Sequence, residues 1–375
     1  MKKTANRVIK RLILSLFVVV LIVMLPTVKL RADNNLELIY RSFLGKKSDY
    51  LGFIEIWNID TFESGGDSKY EILLSVAKEY QKENKGTYVI VRNITESECK
   101  NMLAKGQIPD LFSCSYGVAS ELKGYVVQYD ERFDEVYKNL LDAGKYNGVQ
   151  YAIPWCYNNY YLFSTRSRVE KFFGENEKIV LSKIALSTGY EKVNKNKKEI
   201  IYSLGCGANK YLLPQIAFNT YINKEIAFND YALNKEALMK NTPYDAYCDF
   251  LTGKSNILLG TKRDYVRLKG KEDSGKLDEL VVEKLSGFTD LLQFVFVTNN
   301  GAKQNNHAQA FVKKLVSKKV QEKVSKNGVF SVNSAVKNQD NVGIMSNITP
   351  ENIANYECYN VFLTKSEIEH LQKIS

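Results

Sequence analysis

The sequence predicts an α/β protein built on mainly parallel sheets. Three observations carry this: strand-like and helix-like runs alternate from residue 51 to residue 113, the connections between them are short, and the chain is long enough for two such units. Residues 51–57 (LGFIEIW) form a continuous apolar and β-branched run that stops at polar residues and the Gly65-Gly66 turn, which reads as a buried strand. From residue 67 onward Tyr70, Leu73, Leu74, Ala77 and Tyr80 recur at helical spacing against a charged face of Lys69, Glu71, Lys78, Glu79 and Lys82. Residues 87–92 (TYVIVR) give the second strand. Thr95 and Glu98 have the spacing of a capping box for a second helix that Gly106 ends, and 110–113 (DLFS) is the third strand.

Farther on, 148–155 (GVQYAIPW) and 160–164 (YYLFS) are strand-like runs separated by Tyr157-Asn158-Asn159. Pro154 would interrupt a central strand, so the chain is expected to pass here from one lobe to another. Later strands are expected at 253–260 (GKSNILLG) and 291–297 (LLQFVFV). A last helix begins near His307, places Ala308, Phe311, Val312, Leu315 and Val316 on one stripe, continues through Val320 and Val324, and stops at Gly328. The polar stretch 191–199 reads as a solvated loop, and Gly205-Cys206-Gly207 lacks phosphate-loop spacing and reads as a turn.

Charge narrows the function. The formal charge is +10 over 375 residues, but seven cations and no carboxylate fall in residues 1–32, which leaves +3 over the other 343. That balance lacks the basic stripe nucleic-acid binding requires. With only two histidines, His307 and His370, a multi-histidine metal centre and most histidine-based catalysis lose support, so no metal and no cofactor are expected. Five cations at residues 2–11 precede an uncharged apolar run of 17 residues, 12–28. This is the pattern of a secretory signal, and its apolar core is also just long enough to be weighed as a transmembrane anchor. Cleavage after Ala32 and retention as an anchor both leave the rest of the chain extracytoplasmic, at the cell surface. No cysteine precedes Cys99, which excludes a lipid-modified cysteine at the membrane edge, and the six cysteines, widely spaced, are read mostly as small buried residues without assigned bridges.

Four segments in order, IEIWNIDTFESGG (54–66), YNGVQYAIPWCYNNYYLFST (146–165), GKSNILLGTKRDYVRL (253–268) and AFVKKLVSKKVQEKVSKNGVFSVN (310–333), resemble the bacterial extracellular solute-binding proteins of family 1, the maltose-binding-protein-like receptors of ABC importers. The chain departs from that pattern in its missing lipobox cysteine and in a shortened Lys- and Asn-rich stretch between Thr188 and Asn241. The resemblance implies a two-lobed periplasmic-binding-protein-like fold of type II, each lobe a mainly parallel sheet flanked by helices, hinge-connected, with a ligand held between the lobes. Residues 1–32 are then signal peptide or anchor, 50–153 plus 250–303 lobe 1, and 156–247 plus 306–375 lobe 2. It also implies a monomer that captures a small solute, carbohydrate first, and hands it to the transmembrane subunits of an ABC permease.

Candidate ligand-binding residues follow from where strands end, because open sheets bind ligands outside the carboxyl ends of their strands. Trp57 and Trp155, the only tryptophans, fall at the first strand's end and in the crossover; each either stacks on a sugar face or fills the core. Asp60 and Glu63 share the loop after Trp57 and either accept hydroxyl hydrogen bonds or cap and solvate. Ser113 and Tyr116 follow the third strand, Tyr157 and Tyr161 flank the crossover, and Arg263 either positions ligand or pairs with Asp264 at a helix start. The rival functions are an exported glycoside hydrolase and a membrane-anchored ligand sensor on the same fold. Asp60 and Glu63, three residues apart in one loop, do not set the carboxylate separation glycoside hydrolysis needs, and no G-x-S-x-G, H-E-x-x-H or P-loop pattern occurs, so no catalytic residue is assigned.

Overall fold

The computed structural model describes residues 52–60, 62, 68–174, 179, 202–204, 243–284, 287, 289–299, 302–338 and 353–368. The leader, Glu63, the 191–199 stretch and Gly205-Cys206-Gly207 lie outside the described residues. The strand–helix alternation reappears in order. Strand β1 (Gly52–Asn58) leads to helix α1 (Lys69–Glu83), β2 (Thr87–Asn93), α2 (Glu96–Ala104) and β3 (Leu111–Cys114). The predicted capping box opens α2: the Glu98 amide donates to Thr95 Oγ1 at 3.2 Å and the Thr95 amide donates back to Glu98 Oε2 at 2.7 Å. A second capping box, Ser68 with Glu71, opens α1. The buried stripe of α1 is Ile72, Leu73, Val76, Ala77 and Tyr80, so the helix is turned slightly from the predicted face, and Tyr70 and Leu74 sit only half-buried.

After α3 (Lys138–Asp142) and the two-residue strands β4 (Lys145–Tyr146) and β5 (Val149–Gln150), the chain forms β6 (Ile153–Tyr157), β7 (Tyr160–Thr165) and α4 (Arg166–Phe173). The remaining elements are β8 (Tyr202–Leu204), α5 (Pro243–Leu251), β9 (Ile257–Thr261), α6 (Lys262–Asp273), β10 (Leu280–Lys284), β11 (Leu292–Val297), α7 (Ala302–Val316) and α8 (Lys318–Lys326). The strands make a five-stranded sheet in the order β2-β1-β3-β11-β6 and a four-stranded sheet in the order β10-β7-β9-β8. In the first, β1, β2 and β3 are parallel and β11 and β6 run antiparallel to their neighbours. Both sheets are therefore mixed: in the second, only β8 and β9 pair parallel.

Pro154 lies within β6, an edge strand, beside a register shift at Gln293/Phe294. An edge strand with a bulge tolerates the missing N–H, so the proline marks the end of the first sheet without breaking a strand.

Sheet membership differs from the lobe boundaries expected above. Within the 250–303 segment, β9 and β10 bond to β7 and only β11 joins β1. In 306–375, α7 packs on β1 and β11, and Phe311, Val324, Val332 and Phe362 belong to the first sheet's core cluster. Pairing decides this: β9 and β10 have β7 between them. The single predicted last helix is also two, because Ser317 is extended at the start of α8.

Among the described strands the chain passes between the sheets from β6 to β7 and from β10 to β11, and these two crossovers bond each other. The Asn158 amide donates to the Leu291 carbonyl at 2.8 Å, and the Thr289 hydroxyl donates to the Asn158 carbonyl at 2.7 Å. Among the described cysteines, Cys99, Cys114 and Cys156 are buried free thiols, and burial pushes the Cys99 thiol up to about 11. Among the described residues no helix is long and apolar enough to cross a membrane.

The C-terminal helices are tied to α1 by charge. Lys319 Nζ lies 2.7 Å from Glu79 Oε1, Lys323 bonds the same carboxylate, and Lys314 reaches Glu83 at 2.7 Å. Hydrogen bonds from Lys319 and Lys323 hold the Glu79 carboxyl down, from 4.5 to about 2. A depressed folded value stabilises the fold above the unfolded value, and that contribution fades as pH falls toward the folded one. Glu79→Gln should lower the urea midpoint at pH 7, and the gap to wild type should close between about pH 5 and pH 2. A gap independent of pH would refute the pairing.

Candidate functional site

The carboxyl ends of β1 and β3, the start of β11 and the exit of β6 meet at one edge of the first sheet, where both crossovers leave it. Alternation along β1 puts Asn58 on one face of the sheet and Trp57 on the other. Asn58 registers with Ser113 and Asn93, and a polar network spans these strands. Asn58 Nδ2 donates to Asn93 Oδ1 at 2.8 Å, Ser113 Oγ donates to Asn58 Oδ1 at 3.0 Å, and Trp155 Nε1 donates to Ser113 Oγ at 3.2 Å. Gln293 closes it, giving its side-chain N–H groups to Ser113 Oγ and the Ile59 carbonyl, each at 3.1 Å. A fully matched network of this kind fixes strand register and stiffens the edge that carries the crossovers.

The structure thus brings Ser113 and Trp155 together, as members of a buried network. Trp57, Ser113, Tyr116, Trp155, Tyr157 and Tyr161 are each at most 1% exposed, which places all six within the packed interior. Trp57 stacks edge-on against Phe112 with ring centres 5.7 Å apart, and its indole N–H donates to Glu55. Tyr116 donates to the Tyr359 carbonyl at 2.8 Å. The Tyr157 hydroxyl accepts from Asn338 at 3.2 Å and its ring lies on Phe330. Tyr161 packs with Phe163 in the second sheet's core, away from the others. Asp60 sits 3.3 Å from Nζ of Lys69, a buried lysine that also bonds the Phe62 carbonyl and lies over its ring. Arg263 is half-buried in the first turn of α6, within electrostatic reach of Tyr247, while Asp264 accepts from the Thr261 amide at 2.8 Å and caps the helix. Asp264 thus caps α6, a role the sequence reading did not give it.

Sequence reasoning passed over the residues of the double crossover. Tyr160, on the face of β7 turned toward the first sheet's core, donates to Asp290 Oδ1 at 2.7 Å. Around this buried carboxylate, burial first and the charge of Asp290 second push the Cys358 thiol up, and the Tyr116 hydroxyl rises for the same leading reason, so both stay protonated. Asn158 and Asn159 are fully buried. Asn158 Oδ1 accepts from the Asn159 amide at 2.9 Å, yet among the described residues Asn158 Nδ2, both amide atoms of Asn159 and the buried Ser115 hydroxyl meet no hydrogen-bond partner. Each such atom costs about 1–3 kcal/mol when left unmatched. Two adjacent asparagines between two apolar strands, and one glutamine inside LLQFVFV, were the available signals.

The edge offers neutral amides and hydroxyls in depth, beside one carboxylate already bonded to a tyrosine. That equipment suits hydrogen bonding to a polar solute. Among the described residues the buried carboxylates are all engaged: Asp290 with Tyr160, Asp110 with the Glu55 amide at 2.7 Å, and Asp264 with the Thr261 amide. Among the described residues no group of three or more His, Cys, Asp or Glu is placed to hold a metal ion.

No family model matches the chain, and no curated protein matches it in sequence. Solved structures do resemble it. The GacH receptor of Streptomyces glaucescens, studied with acarbose, aligns over 86% of this chain and 91% of its own at 13% identity and a TM-score of 0.57. Maltose-bound MalE3 of T. maritima aligns over 86% of this chain and 98% of its own at 11% identity and 0.56. An ABC substrate-binding protein from Listeria monocytogenes in complex with cycloalternan aligns over 86% and 91% at 14% identity and 0.55. At these identities the likeness establishes the fold: the α/β architecture is that of the maltose-binding-protein-like two-domain binding proteins.

Gln293→Met keeps the volume and removes both donors, which strands the Ile59 carbonyl. We expect a loss of about 1–3 kcal/mol in urea unfolding. An unchanged midpoint would contradict the network.

Proposed function

We propose that the chain is the extracytoplasmic solute receptor of an ABC importer, binding a small polyhydroxylated solute, a sugar or oligosaccharide, between its two sheets and presenting it to a membrane permease. The observation that carries this reading is the double crossover: two sheets joined by two short, mutually bonded segments at the carboxyl ends of β1 and β3. Such a joint permits rigid-body swing about a few backbone bonds, and a solute that touches both halves only when they are shut biases the equilibrium toward closure. The fold shared with proteins described as bound to maltose, acarbose or cycloalternan supports a carbohydrate cargo. The apolar leader, read as signal or anchor, supports an extracytoplasmic location.

The reading is of a binding protein rather than an enzyme. Glycoside hydrolysis needs two carboxylates facing each other across the sugar. Asp60 is held by Lys69, and the buried carboxylates named above serve backbone amides or Tyr160.

A thermal-shift series with maltose, maltotriose, xylobiose and sorbitol, set beside dipeptides and inorganic phosphate, tests the cargo. A solute bound only by the folded state adds about 2.7 kcal/mol of stability at a hundredfold excess over its Kd. At least one saccharide or polyol should raise Tm by several degrees. A shift with dipeptide or phosphate and none with any sugar would overturn the carbohydrate assignment.

A further inference from the structure

Three of the unmatched polar atoms lie on the β6–β7 crossover and the fourth, Ser115 Oγ, lies just past β3 at the same end of the sheet. Tyr157 registers with Leu292 and the next residue, Asn158, bonds Leu291, whereas Ser115 lies one residue beyond Cys114, which registers with Phe294. Asn158 and Ser115 therefore flank the start of β11 from its two sides, two strand spacings or roughly 10 Å apart. Asp290 leads into that strand between them, with Tyr160 on one oxygen. Asn159 follows directly, on the link into β7.

Buried polar groups are almost always matched, and a cluster left open by the protein's own atoms calls for an outside partner. A carboxamide presents a donor and an acceptor side by side, and a serine hydroxyl supplies either. Adjacent hydroxyls of a polyol answer both at once. A charged solute fits poorly here, since amides and a hydroxyl supply no countercharge and the Asp290 carboxylate opposes an anion.

We infer that Asn158, Asn159 and Ser115 form the polar floor of the solute site and select a neutral ligand that presents a vicinal diol. The inference rests on the receptor reading and deepens it, by assigning recognition to the joint: Asn158 and Asn159 sit on the segment about which the halves turn, and Ser115 sits beside it, just past β3. Binding and closure then share the same residues.

Asn159→Leu and Ser115→Ala test it by two readouts. Urea unfolding without solute should give midpoints equal to or above wild type, because both variants delete polar atoms that lack protein partners. Calorimetric titration with maltose and with sorbitol should show at least a tenfold loss of affinity in each variant for whichever probe wild type binds. Lowered midpoints with unchanged affinity would overturn the inference and return these atoms to a structural role. If wild type binds neither probe, the sugar-receptor reading fails on its own; unfolding then still decides whether the floor is open, with lowered midpoints refuting it and unchanged or raised midpoints supporting it.

Discussion

Two hydrogen bonds at Asn158 organise the molecule: its amide to the Leu291 carbonyl, and its carbonyl from the Thr289 hydroxyl. They join the outgoing and returning crossovers, the two links between the sheets among the described residues. The order β2-β1-β3-β11-β6 requires this, since the chain can insert β11 beside β3 only by coming back where it left. The four-strand network of Asn58, Ser113, Trp155 and Gln293 lies immediately behind the joint and holds the strand ends in register. A stiff edge behind a two-stranded link favours motion at the link, which is the mechanical basis of a clamp.

Chemistry at this edge follows from burial. Neutral amides and hydroxyls are cheap to bury only when matched, and they recognise hydroxyl-rich solutes without the desolvation cost of a charge. The aromatic residues serve a different end. Tyr157, Tyr161 and both tryptophans pack against other rings or donate to fixed acceptors, so their bulk stabilises the cores of the two sheets.

Much of the fold was legible because it rests on local period. The apolar run of β1, the helical stripe of α1 and the Thr95–Glu98 capping box all emerge as read, with α1 turned by part of a residue step. Sheet membership was not legible, because whether β9 pairs with β7 or with β1 depends on contacts distant in sequence. The site was half legible. The position at the strands' carboxyl ends pointed to Ser113, but face alternation separated Trp57 from it, and the choice between Tyr160 and Tyr161 turned on which face of β7 meets the first core. Asn158, Asn159 and Gln293 looked like ordinary polar residues; only burial gives them meaning.

A clamp of this kind swings its two halves about the Asn158–Leu291 joint and closes on a solute. Small-angle X-ray scattering, with and without a saturating solute that raises the melting temperature, tests it directly. A clamp gives a smaller radius of gyration in the bound state. An unchanged radius with the solute demonstrably bound would contradict it.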